Sequence, residues 1–280
     1  MKFGKLELHL ISDGHLWMDG GAMFGVVPKT LWQREMPPDR QNRIRLALNC
    51  LLIQTGEANI LIDTGCGFKY SKKEIQIYNL DNKTNLLDEL AQVSLDPEDI
   101  DVVINTHLHF DHCGGNTIYK NGEIVPTFPQ AEYWISRLEY EDAQQPNERT
   151  KATYYPHNWE PVEESNLLNI FDGEPEVAPG VQLVHTPGHT AGHYSVKIES
   201  EGQVMFFIAD LCPTTAHIRL PWIMSYDLFP ITTLKVRRQI YDQAIQEKWL
   251  LFFEHDPEIF LGYLSKKEEE YVLKSEPWRT

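Results

Sequence analysis

Three histidines and an aspartate occupy six consecutive positions in the stretch Thr-His-Leu-His-Phe-Asp-His, residues 106–112. These side chains are His107, His109, Asp111 and His112. The stretch follows Val102-Val103-Ile104, an apolar run that predicts a buried strand. Histidines gathered at a strand end need a partner that orients them, because burying unpaired polar groups is costly. The spacing therefore predicts a strand that delivers metal ligands to its C-terminal end.

Three later positions repeat this pattern. His189 follows the predicted strand 181–185, Asp210 follows 204–208, and His255 follows 249–253. Side chains at the carboxyl ends of strands converge on one crevice in an open α/β sheet. We therefore expect seven ligands to meet: His107, His109, Asp111, His112, His189, Asp210 and His255.

Imidazole and carboxylate ligands without a thiolate favour zinc, with iron, manganese or cobalt as alternatives. Seven ligands are too many for one tetrahedral zinc ion but suffice for two ions if one carboxylate bridges them. A catalytic site leaves a coordination position for water. A hydroxide shared by two zinc ions would attack a carbonyl or phosphoryl centre. Asp111 could act both as a ligand and as a proton shuttle to the leaving group.

The elements that must position these residues alternate between strands and helices, which predicts an α/β layered fold. Strands are also expected at 6–11, 47–54, 59–62, 131–135 and 193–198, with helices at 84–92 and 232–247 and a helix start at Asp96-Pro97. Residues 17–40 read as a long irregular substrate loop, and residues near 139–165 as an insertion or lid. We expect a single domain over residues 1–280.

Composition narrows the class of protein. The net charge of −16 argues against nucleic acid and against an anionic membrane as partner. No apolar run reaches the roughly 18–20 residues of a membrane helix, and the charged N-terminus does not resemble a signal peptide. The four cysteines lack a Cys-x-x-Cys pair, which predicts free thiols and fits a reducing cytoplasm.

The ordered motif His-x-His-x-Asp-His, then Gly188-His189, Asp210 and His255, resembles the signature of the metallo-β-lactamase superfamily, and the Asp63-Thr64-Gly65 turn also fits. The resemblance covers nearly the whole chain. It implies an αβ/βα sandwich of two central mixed sheets flanked by helices. It further implies a first metal site from His107, His109 and His189, a second from Asp111, His112 and His255, and Asp210 as the bridge.

The loop 19–29 is similar to that of bacterial quorum-quenching N-acyl-homoserine lactonases, as are Pro221-Trp222, Tyr226-Asp227 and Phe229-Pro230. The substrate-binding residues expected from this likeness are Met23, Phe24, Trp222, Tyr226 and His217. Many such lactonases carry a tyrosine three residues after the bridging aspartate. Here that position is Pro213, so either another donor, Tyr226 or His217, contacts the substrate carbonyl, or the substrate differs. Related enzymes are often dimers, so a homodimer is a further possibility.

Two residues are candidates for supporting the ligands. Asp63 could orient a ligand histidine or only cap a turn. His193 could support a ligand or be a core histidine with satisfied hydrogen bonds. The aromatic side chains assigned to the substrate pocket could equally be packed in the core.

Three functions are compatible with the motif. The first is a dinuclear zinc hydrolase that opens lactones or small esters, with N-acyl-homoserine lactones as first candidates. The second is a phosphotriesterase or arylesterase, because the same hydroxide can attack phosphorus. The third is a non-catalytic metal-binding module. A diiron redox protein is disfavoured because that pattern has glutamate where this chain has His109.

Overall fold

The computed structural model describes residues 1–81 and 83–278, which form sixteen strands and eight α-helices. The strands are β1 (Lys2–Phe3), β2 (Leu6–Asp19), β3 (Arg43–Gln54), β4 (Asn59–Ile62), β5 (Val102–Ile104), β6 (Thr117–Lys120), β7 (Glu123–Pro126), β8 (Glu132–Ser136), β9 (Leu168–Phe171), β10 (Glu176–Ala178), β11 (Val181–His185), β12 (Tyr194–Ser200), β13 (Gln203–Phe207), β14 (Leu250–Phe252), β15 (Leu261–Lys267) and β16 (Glu270–Ser275).

The helices are α1 (Gly20–Phe24), α2 (Lys29–Trp32), α3 (Lys72–Tyr78), α4 (Leu86–Gln92), α5 (Phe110–Cys113), α6 (Arg137–Gln144), α7 (Glu160–Glu164) and α8 (Pro230–Glu247). Single 3₁₀ turns lie at Pro97–Asp99, Gly114–Asn116, Pro156–Asn158, Ala209–Leu211 and Thr215–Ile218. None of the helices in the described part of the chain has the length and apolarity needed to cross a membrane.

Two mixed sheets of seven strands organise the described chain. The first has the order β1-β2-β3-β4-β5-β8-β9, and β4, β5, β8 and β9 run parallel to one another. The second has the order β10-β11-β12-β13-β14-β15-β16, in which only the β13–β14 pair is parallel among the described strands. Strands β6 and β7 form a separate hairpin.

The chain divides into two compact units. The first comprises Met1–Gly14 and Leu48–Gly173, and the second comprises His15–Ala47 and the chain from Glu174 onward. The first unit has a core that includes Leu61, Val103, Phe128 and Tyr133. The assignment of residues 1–280 to a single domain stays a prediction.

Helix α8 of the second unit buries one face, as its amphipathic sequence predicts. Its buried residues are Thr233, Arg237, Ile240, Tyr241 and Ala244, which fall on one face at helical spacing. Pro230 at the first position suits a helix start, and Lys248 ends the helix in the left-handed conformation. The apolar members of this face pack in a core with Phe206, Leu251 and Phe253.

Several sequence-based boundaries were wrong. The segment 17–40 is not irregular throughout, because β2 continues to Asp19 and α1 and α2 follow. The helix expected to start at Asp96 is a single 3₁₀ turn. Residues 139–165 contribute buried side chains, Ala143, Tyr154, Trp159 and Val162, to the cores of the first unit, and their assignment as an insertion or lid stays a prediction. The four cysteines are buried free thiols, which confirms that prediction.

Candidate metal centre

The first unit carries four of the seven predicted ligands between β5 and the end of α5. His107 and His109 lie in the loop after β5, and Asp111 and His112 lie in α5. Nε2 of His107 is 3.1 Å from Nδ1 of His109, and the rings of His107 and His112 are 3.9 Å apart between centroids. The three imidazoles are buried, whereas Asp111 is partly exposed. The motif therefore forms a compact cluster of nitrogen donors.

Asp63 contacts this cluster through Thr106 and His112. Its Oδ2 accepts a hydrogen bond from Thr106 Oγ1 (2.7 Å) and lies 3.0 Å from Nδ1 of His112. Its Oδ1 accepts from the backbone N–H of Thr106 (2.8 Å). Asp63 thus contacts both a predicted ligand and the backbone of the loop, and its supporting role stays a prediction. A carboxylate facing Nδ1 keeps Nε2 of the imidazole free to coordinate a metal.

We expect Asp63→Asn to weaken metal binding by about 10- to 100-fold, because an amide cannot replace the charge that orients His112. Zinc affinity, measured by competition with a chromophoric chelator, checks this result. Asp88→Asn on the exposed side of α4 is the matched control and should bind zinc like the wild type. Unchanged affinity in a folded Asp63 variant would show that the aspartate only shapes the turn.

The loop backbone has supports that sequence analysis missed. Glu139, buried on α6, accepts hydrogen bonds from the N–H of Leu108 (3.0 Å) and from Tyr154 Oη (2.8 Å). The side chains of Asn105 and Asn116 pair with each other at 2.9 and 3.2 Å. Glu139 and Leu108 are 31 residues apart, so no local pattern connects them.

The second unit carries the other three predicted ligands around one carboxylate. Oδ2 of Asp210 lies 3.1 Å from Nε2 of His189, and Oδ1 lies 3.2 Å from Nε2 of His255. Asp210 sits in the 3₁₀ turn after β13, His189 in the turn after β11, and His255 three residues after β14. The three side chains are buried.

The hydrogen bonds of the Nδ1 atoms of His189 and His255 indicate whether this cluster suits a cation. Nδ1 of His255 lies 2.8 Å from the carbonyl of Ala47, which can only accept, so that nitrogen carries the proton. Nδ1 of His189 lies 3.0 Å from Oδ1 of Asp227. In the neutral rings both Nε2 lone pairs then face the Asp210 carboxylate. Acceptors that face one another in this way would be satisfied by divalent cations, so the imidazole and carboxylate donor set fits metal binding.

His193 contacts Thr186, at the start of the turn that carries His189. Its Nδ1 lies 3.0 Å from the carbonyl of Thr186 and 2.9 Å from Thr186 Oγ1. Its ring lies 6.1 Å from that of His189, in an edge-on arrangement. The supporting role assigned to His193 stays a prediction.

Three of the five residues predicted to bind substrate, Phe24, Trp222 and His217, pack in one aromatic group. The Phe24 ring stacks on Trp32 (5.1 Å) and on His217 (4.4 Å) and meets the edge of Trp222 at 5.6 Å. Met23, Phe24, Trp222 and His217 are buried, and Tyr226 is partly exposed. The nearby Val26 side chain is 93% exposed.

Both ring nitrogens of His217 are engaged. Nε2 donates to the carbonyl of Met23 (2.9 Å), and Nδ1 lies 2.7 Å from Thr214 Oγ1. Burial, together with the nearby Arg237 cation, lowers the pKa of His217 to about 3, so the ring is neutral at pH 7. With Nε2 donating, Nδ1 accepts from the threonine hydroxyl. These bonds tie His217 to the chain at Met23.

Comparison with known proteins identifies the family. The profile of the metallo-beta-lactamase superfamily matches residues 44–262. The chain belongs to this superfamily. It is 33% identical over 266 residues to an N-acyl homoserine lactonase from a Bacillus species, an alignment that covers 90% of this chain and 94% of that protein.

Solved structures agree with this membership. A probable metal-dependent hydrolase from Staphylococcus aureus is 33% identical, with a TM-score of 0.91 and full coverage of both chains. An N-acyl homoserine lactone hydrolase with N-hexanoyl-L-homoserine bound at its catalytic metal centre is 27% identical, with a TM-score of 0.70, covering 92% of this chain and 95% of that one. The α/β superfamily fold with two mixed sheets is confirmed, and the chain is a metal-dependent hydrolase.

Proposed function

We propose that this superfamily member is a dinuclear zinc hydrolase that opens lactones, with N-acyl-homoserine lactones as its first substrate class. The observation that carries the proposal is the complete set of seven ligands in a chain that aligns over 90% of its length with a lactonase. The relative with N-hexanoyl-L-homoserine at its metal centre supports the substrate class.

The proposed assignment divides the seven ligands between two metal ions. His107, His109 and His189 would hold the first ion, and Asp111, His112 and His255 the second, with Asp210 between them. When bound, two zinc ions would polarise the lactone carbonyl and lower the pKa of the attacking water towards about 7. Asp111, partly exposed beside the buried histidines, would return a proton to the alkoxide that leaves as the ring opens.

Substrate recognition is proposed for the region around α1. Phe24, packed between Trp32 and His217, would fix the backbone that presents Met23 and the exposed Val26 to an acyl chain. Because both nitrogens of His217 are engaged, Tyr226 is the preferred donor to the substrate carbonyl in place of the tyrosine that Pro213 replaces. His217 would then act by holding the carbonyl of Met23.

A substrate panel on one metal-analysed preparation tests the proposal. We expect about two zinc ions per chain, in line with two sites of three or four protein ligands each. We also expect kcat/KM for N-hexanoyl-homoserine lactone to exceed that for an aryl ester and for an aryl phosphotriester. Chelator treatment should abolish turnover, and added zinc should restore it.

Two outcomes would contradict this function. Metal-free protein as active as the zinc form would exclude the metal-assisted mechanism. A higher kcat/KM for the phosphotriester would retain the mechanism and replace the substrate class.

A further inference from the structure

We propose that Asp227 is a positioning residue for His189 and that the segment carrying it, residues 222–229, links this ligand to helix α1. We call residues 222–229 the connector. All of the contacts involved lie within the second unit. The inference rests on the proposed metal centre and adds that metal binding and the order of α1 are coupled.

One end of the connector holds both the side chain and the backbone of the ligand. Oδ1 of Asp227 lies 3.0 Å from Nδ1 of His189, and both side chains are buried. The N–H of Leu228 donates to the carbonyl of His189 (3.0 Å), and the N–H of Phe229 donates to that of Gly188 (2.8 Å). The carboxylate places the ring proton on Nδ1 and makes Nε2 a better donor to a metal.

The other end of the connector holds α1. The N–H of Ser225 donates to the carbonyl of Ala22 (2.8 Å), and the Trp222 ring meets the edge of Phe24. At Gly25, which has φ +56°, an added Cβ would lie 2.4 Å from the carbonyl oxygen of Ile223. The backbones at this point are therefore in close contact.

Helix α1 depends on such contacts because its own sequence is weak. It has five residues, and its first two are Gly20 and Gly21, which disfavour helices. Its local support includes the cap in which the Asp19 side chain accepts from the N–H of Ala22 (2.8 Å), and the hydrogen bond from the N–H of Gly25 to the carbonyl of Gly21 (2.9 Å). A metal ion that fixes His189 would also fix the connector. The conformational entropy lost on ordering α1 would then be smaller.

The test uses Asp227→Asn, with Asp172→Asn, an exposed aspartate of the first unit, as control. Zinc affinity is measured by chelator competition, and hydrogen exchange is followed in peptides covering residues 20–25. In the wild type, zinc should slow exchange at 20–25. Asp227→Asn should bind zinc about 10- to 100-fold more weakly and should lose this zinc-dependent protection. The spectrum of the cobalt-substituted protein should also change, and Asp172→Asn should match the wild type.

A second variant approaches the link from its other end. Gly25→Ala would push against Ile223 without touching His189, so coupling requires it to weaken zinc binding as well, because linkage is reciprocal. Wild-type zinc affinity in either folded variant, or protection at 20–25 that persists in Asp227→Asn, would overturn the inference. A wild-type protein that binds no zinc would instead refute the proposed function itself.

Discussion

Replacing Asp210 with asparagine should lower kcat/KM for the lactone by at least about 100-fold. The carboxylate lies 3.1 and 3.2 Å from the Nε2 atoms of His189 and His255, whose other nitrogens are held by Asp227 and Ala47. An amide has one acceptor oxygen and no charge, so it cannot serve both sides. A metal supplies several kcal/mol of transition-state stabilisation, and each 1.36 kcal/mol corresponds to tenfold in rate.

Zinc content distinguishes this effect from a general loss of structure. The Asp210 variant should bind less zinc per chain than the wild type while its circular dichroism spectrum stays unchanged. Asp242 on α8 is a half-exposed carboxylate that accepts a hydrogen bond from Tyr271 Oη. The control variant Asp242→Asn should retain both zinc and activity. Full zinc content together with full activity in Asp210→Asn would remove this residue from the proposed centre.

The candidate ligands could be proposed from the sequence because their signal is local. A strand followed by a histidine or aspartate is visible in a few consecutive residues, and strands β4, β5, β11 and β13 occur close to where apolar runs placed them. Asp63 was a candidate support from its turn, but the ligand that it contacts could not be predicted in this way, and Asp227 was not predicted as a support at all. Asp227 meets His189 across 38 residues, and Asp63 meets His112 across 49. Such pairs arise from the fold and leave no spacing pattern in the chain.

Helix α1 shows why the sequence alone predicts an irregular loop over residues 17–40. Two glycines at its start, and Pro28 shortly after its end, argue against a helix when only local propensity is considered. The Asp19 cap and the contacts of the connector with Ala22 and Gly25 outweigh that propensity. Tertiary contacts decide the structure of a segment this short.

Among the residues whose role is not visible in the sequence, we expect Arg237 to contribute most to stability. From the sequence alone, one arginine in an amphipathic helix resembles a solvated side chain. In the structure it is fully buried on α8. Its Nε donates to the carbonyl of Leu211, and its Nη1 donates to those of His217 (3.1 Å) and Trp222 (2.7 Å). One guanidinium therefore joins the residue after Asp210, the segment that holds Met23, and the start of the connector.

Arg237→Met should lower the free energy of unfolding by about 3 kcal/mol. Three buried carbonyls lose a charged donor, and each unsatisfied group costs about 1–3 kcal/mol, while removing a buried cation recovers part of its desolvation cost. Urea denaturation of the metal-free protein measures the change without a contribution from zinc binding. Arg238→Met, at the next and exposed position of α8, should unfold like the wild type. Equal stability of the two variants would mean that packing alone holds these three segments together.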